Sequence, residues 1–169
     1  MNDNYLIWIT GISGVGKTTF AKKIYTKLKK NNSKVIILDG DILRNALFKS
    51  GNLIDYSKKN RLQLAKIYSN LCKMFYEQNF IVIIATISLF REIHDYNRKN
   101  FKNYCEIYLK RTKKNNKKLN LKKNNYKNKN IVGHDIKIDE PLNPHFIFND
   151  MKISNLNYNA KKIVKFICK

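Results

Sequence analysis

Eight residues near the N-terminus have the types and spacing for phosphate chemistry. Gly11-Ile12-Ser13-Gly14-Val15-Gly16-Lys17-Thr18 fits GxxxxGK[ST] without a mismatch. Glycines so placed let successive backbone N–H groups turn inward around phosphate oxygens. A helix opening directly behind them adds partial positive charge. This reading gives Gly11, Ser13, Gly14, Val15, Gly16, Lys17, Thr18 and Thr19 to ATP. Lys17 reaches the β- and γ-phosphates, and the Thr18 hydroxyl ligates Mg²⁺. A glycine-rich turn with a fortuitous lysine is the competing reading, and the strand–loop–helix setting weighs against it. The motif alone does not separate kinase, ATPase and GTPase. No NKxD-like guanine motif is evident, and little chain follows the loop for a motor ATPase.

A second cluster, Leu38-Asp39-Gly40-Asp41 with Arg44 three residues on, ends the next apolar run. Ligands of open α/β sheets bind at the carboxyl ends of strands. Two carboxylates there suit Mg²⁺ water coordination and activation of an acceptor hydroxyl. Arg44 suits an anionic acceptor. The alternative is an Asx turn that merely caps a helix.

Taken together, the motifs resemble the adenylylsulfate (APS) kinase family. They are Gly11–Thr19, Leu38 to Arg44, Tyr56-Ser57 with Arg61, Ile87-Ser88-Leu89-Phe90-Arg91, and the run from Gly133 to Pro141. Their order and approximate spacing hold over residues 5–148. The resemblance implies transfer of the ATP γ-phosphoryl group to a nucleotide 3′-hydroxyl, with ATP and Mg²⁺ as cofactors. It implies that Asp41 orients or deprotonates that hydroxyl and that Asp39 helps place Mg²⁺. It puts Arg44 and Arg61 on the acceptor's anionic part, Tyr56 on its base, and Ile87 beside it. Ser88 matches a serine proposed as a phosphoserine intermediate. Direct transfer is the preferred reading, because in-line transfer needs mainly positioning and charge neutralisation. A homodimer is also implied.

Three departures from the family pattern stand out. Leu64 occupies the place of an asparagine three positions after Arg61. Ile131 replaces an aromatic residue that sandwiches the acceptor base. The family's RDPKGLY lid is replaced by a basic, Asn-rich stretch in which Lys118, Lys122 and Lys123 are candidates to supply its charge. Two of the three fall on the acceptor side. The resemblance therefore points to the family's capsule-biosynthesis branch, which phosphorylates cytidine diphosphoramidate, with adenylylsulfate as the alternative acceptor.

The elements that must position these residues follow from periodicity. Apolar runs at 5–10, 34–38, 80–85, 104–109 and 145–148 read as strands. Phe20, Ile24 and Leu28 mark a helix from Lys17 to about residue 30. Ser57 N-caps a helix to about residue 78, with Leu64, Ile67, Leu71 and Met74 expected on its apolar side. Further helices are expected over 90–101 and 160–167. Alternating strands and helices predict an α/β, P-loop nucleoside-triphosphate-hydrolase-like fold. It has a central parallel sheet of about five strands, helices on both faces and a basic lid. The whole chain, 1–169, reads as one domain, with 110–130 as the lid-like segment.

Composition narrows the partners. Lys and Arg total 34 against 12 acids, a formal charge of +22. Such an excess suits a polyanion partner. It equally suits A/T-rich codon usage, since the chain is also crowded with Asn, Ile and Tyr. A basic nucleic-acid-binding protein is the rival class, but no aromatic–basic RNA motif appears in the lysine-rich run, so no nucleic-acid partner is expected. No apolar run approaches the ~20 residues of a membrane span. The start of the chain lacks a basic n-region and a cleavage site. Cys72, Cys105 and Cys168 are widely spaced and read as reduced thiols. A cytoplasmic enzyme acting on a small nucleotide, with no membrane partner, is the expectation.

Overall fold

The computed structural model describes residues 4–31, 34–48, 57–112 and 138–168. Tyr56, Ile131, Lys118, Lys122, Lys123, nearly all of the 110–130 segment and residues 133–137 of the late motif lie outside the described residues.

Five parallel strands form one sheet: β1 Tyr5–Thr10, β2 Val35–Asp39, β3 Ile81–Thr86, β4 Tyr104–Lys110 and β5 Phe146–Asn149. Their order is β2-β3-β1-β4-β5. Helices α1 Lys17–Leu28, α2 Gly40–Phe48, α3 Lys58–Glu77, α4 Arg91–Asn100 and α5 Leu156–Ile167 connect and cover them. Alternation along β1 divides the core. Ile7 and Ile9 meet Phe20, Ala21 and Ile24 of α1 and Ala160 and Ile163 of α5. Leu6 and Trp8 meet Ala65, Tyr68 and Cys72 of α3 and Ile93 of α4. With both faces covered, apolar side chains are favoured on each, which is why these strands read as unbroken runs. The α/β P-loop architecture and its five-stranded parallel sheet are as expected.

Helix α2 was not marked by periodicity, and two further elements differ from expectation. On α3 the expected apolar stripe splits: Ile67 is 42% and Met74 60% exposed, while Leu64 packs half-buried against the core. The buried stripe is Ala65, Tyr68, Ser69, Cys72 and Tyr76. It sits one residue further along, a rotation of about 100°. Tyrosine bodies bury a large area, and their hydroxyls here find partners inside: Tyr68 donates to the Gly40 carbonyl, and Tyr76 accepts from the Asn103 N–H. The N-cap was as expected, with Ser57 Oγ accepting from the Asn60 N–H at 3.3 Å. The last helix begins at Leu156, whose buried side chain adds an apolar turn ahead of residue 160.

One buried charge lies away from the strand ends. Glu106 on β4 is wholly buried and pairs with His94 and Arg98 of α4. Tyr104 donates to the same carboxylate at 3.3 Å. Arg98 also donates to the Asn143 carbonyl at 2.9 Å, and the Glu106 N–H donates to His145 Nδ1 at 3.0 Å. Helix α4, strand β4 and the segment entering β5 are thereby cross-linked.

Candidate active site

The carboxyl ends of β1, β2 and β3 converge where strand order reverses, the place an open α/β sheet offers a ligand. A cavity of about 320 Å³ lies there. Its phosphate side is the loop after β1. Gly16, with φ 92°, N-caps α1. Lys17 Nζ donates to the Ile12 carbonyl at 2.8 Å, folded over the loop's own mouth. The close approach of β4 explains Gly11, where a Cβ would lie 2.4 Å from the Leu109 carbonyl oxygen.

The acid side begins where β2 ends. Asp39 Oδ1 accepts from the N–H groups of Asp41 (2.9 Å) and Ile42 (3.3 Å), capping α2. Its other oxygen accepts from Thr18 Oγ1 at 2.6 Å. The Asx cap and the functional arrangement thus coexist in one residue. Thr18 and Asp39 present hydroxyl and carboxylate oxygens side by side, a hard donor set that fits Mg²⁺. Asp41, in the first turn of α2, pairs with Arg44 at 2.7 Å; the side chains are 70% and 21% exposed.

Arg61 and Leu64 approach from α3. The floor is Ala85 to Ser88 at the end of β3. Thr86 Oγ1 and Ser88 Oγ share a hydrogen bond at 2.9 Å, and Ser88 is only 6% exposed.

Most of the candidate residues from the sequence therefore meet in one cavity: Ser13, Gly14, Gly16, Lys17, Thr18, Thr19, Asp39, Asp41, Arg44, Arg61, Ile87 and Ser88. Gly11 and Val15 do not line it. Val15 packs its side chain into the core and borders a second, smaller cavity with Arg111, Asp150 and Met151. Arg111 Nη2 donates to the Gly14 carbonyl at 2.7 Å, joining the β4 end to the phosphate loop. The sequence reading had not singled out Arg111, Gly40, Tyr68, Thr86 or Phe90 for the site. Arg111 and Thr86 carried a signal, each standing at a strand's carboxyl end. Tyr68, deep in a helix, carried none. Its phenol is pushed up to about 12, mainly by burial, with Arg44 opposing and Asp41 and Asp39 adding to the rise.

Comparison with known proteins agrees with this geometry. The adenylylsulphate kinase family model matches residues 3–149. The cytidine diphosphoramidate kinase of Campylobacter jejuni is 38% identical over 169 residues, covering 97% of this chain and 96% of the relative. A probable adenylyl-sulfate kinase of Pyrococcus abyssi is 33% identical over 147 residues, covering 84% and 83%. Among solved structures, the Mycobacterium tuberculosis APS kinase in complex with AMPPNP and APS superposes with a TM-score of 0.82. It is 21% identical, and both chains are fully covered.

Proposed function

The chain belongs to the adenylylsulphate kinase family and is an ATP-dependent kinase, and from that premise we propose its acceptor: the 3′-hydroxyl of cytidine diphosphoramidate. The observation that carries this choice is the 38% identity, over nearly the whole of both chains, to a kinase of that name. The cavity supports it, because Leu64 lines the acceptor side where the family pattern has an asparagine.

In the proposed mechanism the phosphate loop holds the ATP phosphates against backbone N–H groups and Lys17. Thr18 and Asp39 would hold Mg²⁺, which when bound would supply neutralisation of the phosphate charge. Arg44 and Arg61 hold the acceptor's anionic part. Asp41 orients the 3′-hydroxyl and takes its proton as the oxygen bonds to the γ-phosphorus and the bond to ADP breaks. Ser88 is assigned to the floor rather than to a phosphoserine step, because it is buried and hydrogen-bonded to Thr86. Tyr56 and Ile131 keep their proposed place at the acceptor base. The molecule is proposed to be a homodimer of single-domain subunits.

A second reading, adenylylsulfate as acceptor, is favoured by the Pyrococcus relative. A side-by-side assay with ATP, Mg²⁺ and each acceptor decides between them. Phosphorylation of the cytidine compound in clear preference is expected. Efficient turnover of adenylylsulfate with none of the cytidine compound would overturn the choice.

A further inference from the structure

Gly40 stands between the two acids, and its backbone is gripped from both sides. From α3, the Tyr68 hydroxyl donates to its carbonyl at 2.7 Å in a buried setting. From β3, neighbours press on its Cα: an added Cβ would lie 3.1 Å from Thr86 Oγ1 and 3.2 Å from the Ala85 carbonyl. The adjoining Asp39 carboxylate ties the same turn to Thr18. Three elements therefore fix the backbone from which Asp41 projects, and the Asp41 side chain itself is 70% exposed.

We propose that Tyr68 is a positioning residue for phosphoryl transfer: through the Gly40 carbonyl it sets where the Asp41 carboxylate stands relative to the acceptor hydroxyl. This rests on the functional reading above. None of the matched motifs includes position 68, and no polar partner for it is legible in α3. Burial pushes the phenol up to about 12, so the hydroxyl is a hydrogen-bond donor around neutral pH. Its hydroxyl bonds the carbonyl of the residue directly before Asp41, so its effect is expected chiefly in the acceptor half of the reaction.

Tyr68→Phe removes one oxygen and keeps the ring that packs against β1 and β3. The kcat for acceptor phosphorylation is expected to fall about 10- to 100-fold, the range that follows from small misplacements of a reacting group. ATP affinity should stay near wild type, and the melting temperature should fall by only a few degrees as the buried Gly40 carbonyl loses its donor. In an Asp41→Asn background, Tyr68→Phe should add less than about a twofold loss, since both changes act through one carboxylate. A merely structural tyrosine would lower the melting temperature while leaving kcat of the folded enzyme unchanged, or would multiply the Asp41→Asn loss. Gly40→Ala disturbs the same turn from the β3 side and should also lower kcat while sparing ATP affinity. Undiminished kcat in Tyr68→Phe, multiplicative losses, or a Tyr68→Phe chain that does not fold would overturn the positioning role. Wild-type protein that turns over neither acceptor would overturn the functional reading and take this proposal with it.

Discussion

Asp41→Asn separates acceptor chemistry from ATP binding. The substitution keeps Oδ1, so Arg44, now 2.7 Å away, retains a hydrogen-bond acceptor and the side chain keeps its direction. Only the negative charge and the capacity to take a proton are removed. Positioned general bases contribute ~10²–10⁴-fold. The loose transition state of phosphoryl transfer leaves proton removal late and light, so the lower end applies. A fall in kcat of about 10²-fold is expected, equivalent to ~2.7 kcal/mol. The Asp41 side chain is 70% exposed, so the lost ion pair is worth ~0–1 kcal/mol of stability and the melting temperature should move by less than about 4 °C. ATP affinity should change by less than about twofold, because the Thr18–Asp39 contact and the Asp39 cap on the residue-41 N–H are preserved. Product formation followed by mass spectrometry gives kcat, and a fluorescent ATP analogue gives affinity. Full activity in Asp41→Asn would refute the acceptor-orienting assignment. Loss of nucleotide affinity would refute the division of the cavity into two halves.

Lys17→Ala should damage both halves of the reaction. With the only loop cation gone from the motif, kcat/KM is expected to fall about 10²-fold or more, with weakened ATP binding in the same titration. Glu106→Ala should destabilise without touching the site. Breaking a buried pair costs ~3–5 kcal/mol, and Arg98, 29% exposed, is partly rehydrated, so about 3 kcal/mol and a melting-temperature loss of ~6–12 °C are expected by calorimetry. His145 is held below its ordinary 6.5, first by burial, with Glu106 opposing and Arg98 reinforcing. As pH falls below 6.5 the unfolded chain takes up the proton before the folded one, so this stability is present above 6.5 and lost toward the folded value. His145→Asn keeps an acceptor for the Glu106 N–H without titrating. Its melting temperature should therefore fall less steeply between pH 7 and 5 than that of wild type.

The phosphate loop was legible because its requirement is local: glycine spacing, a lysine and a hydroxyl within eight residues, read directly from the chain. The inner strands β1, β3 and β4 were legible because burial on both faces leaves little polar alternation to confuse them. The α3 face was not. Hydropathy ranks Leu64, Ile67, Leu71 and Met74 above Tyr68, Cys72 and Tyr76. Packing buries the second set and leaves Ile67 and Met74 exposed, because each tyrosine carries a large apolar body and its polar tip meets a main-chain partner 27 or 28 residues away. No local pattern records whether such a partner will be there. Arg111 was obscured differently, standing at the head of a lysine-rich run in which no single cation is distinguished by its neighbours.

The acceptor question also turns on α3. Arg61, Leu64 and Tyr68 follow one another at intervals of three and four residues, so they form one stripe along the helix, and all three line the cavity. The stripe is graded: a cation at its outer end, an apolar side chain in the middle, and a hydroxyl engaged with the acid turn at its inner end. Because it sits on a rigid element packed against β1 and β3, a change at its middle position alters what the acceptor meets while leaving the phosphate loop undisturbed. Leu64 is such a change relative to the family's asparagine. Among the described residues, three basic ones, Lys17, Arg44 and Arg61, meet the cavity. If the proposed acceptor is right, Leu64→Asn should change acceptor preference, which the side-by-side acceptor assay reads directly, while leaving ATP affinity near wild type.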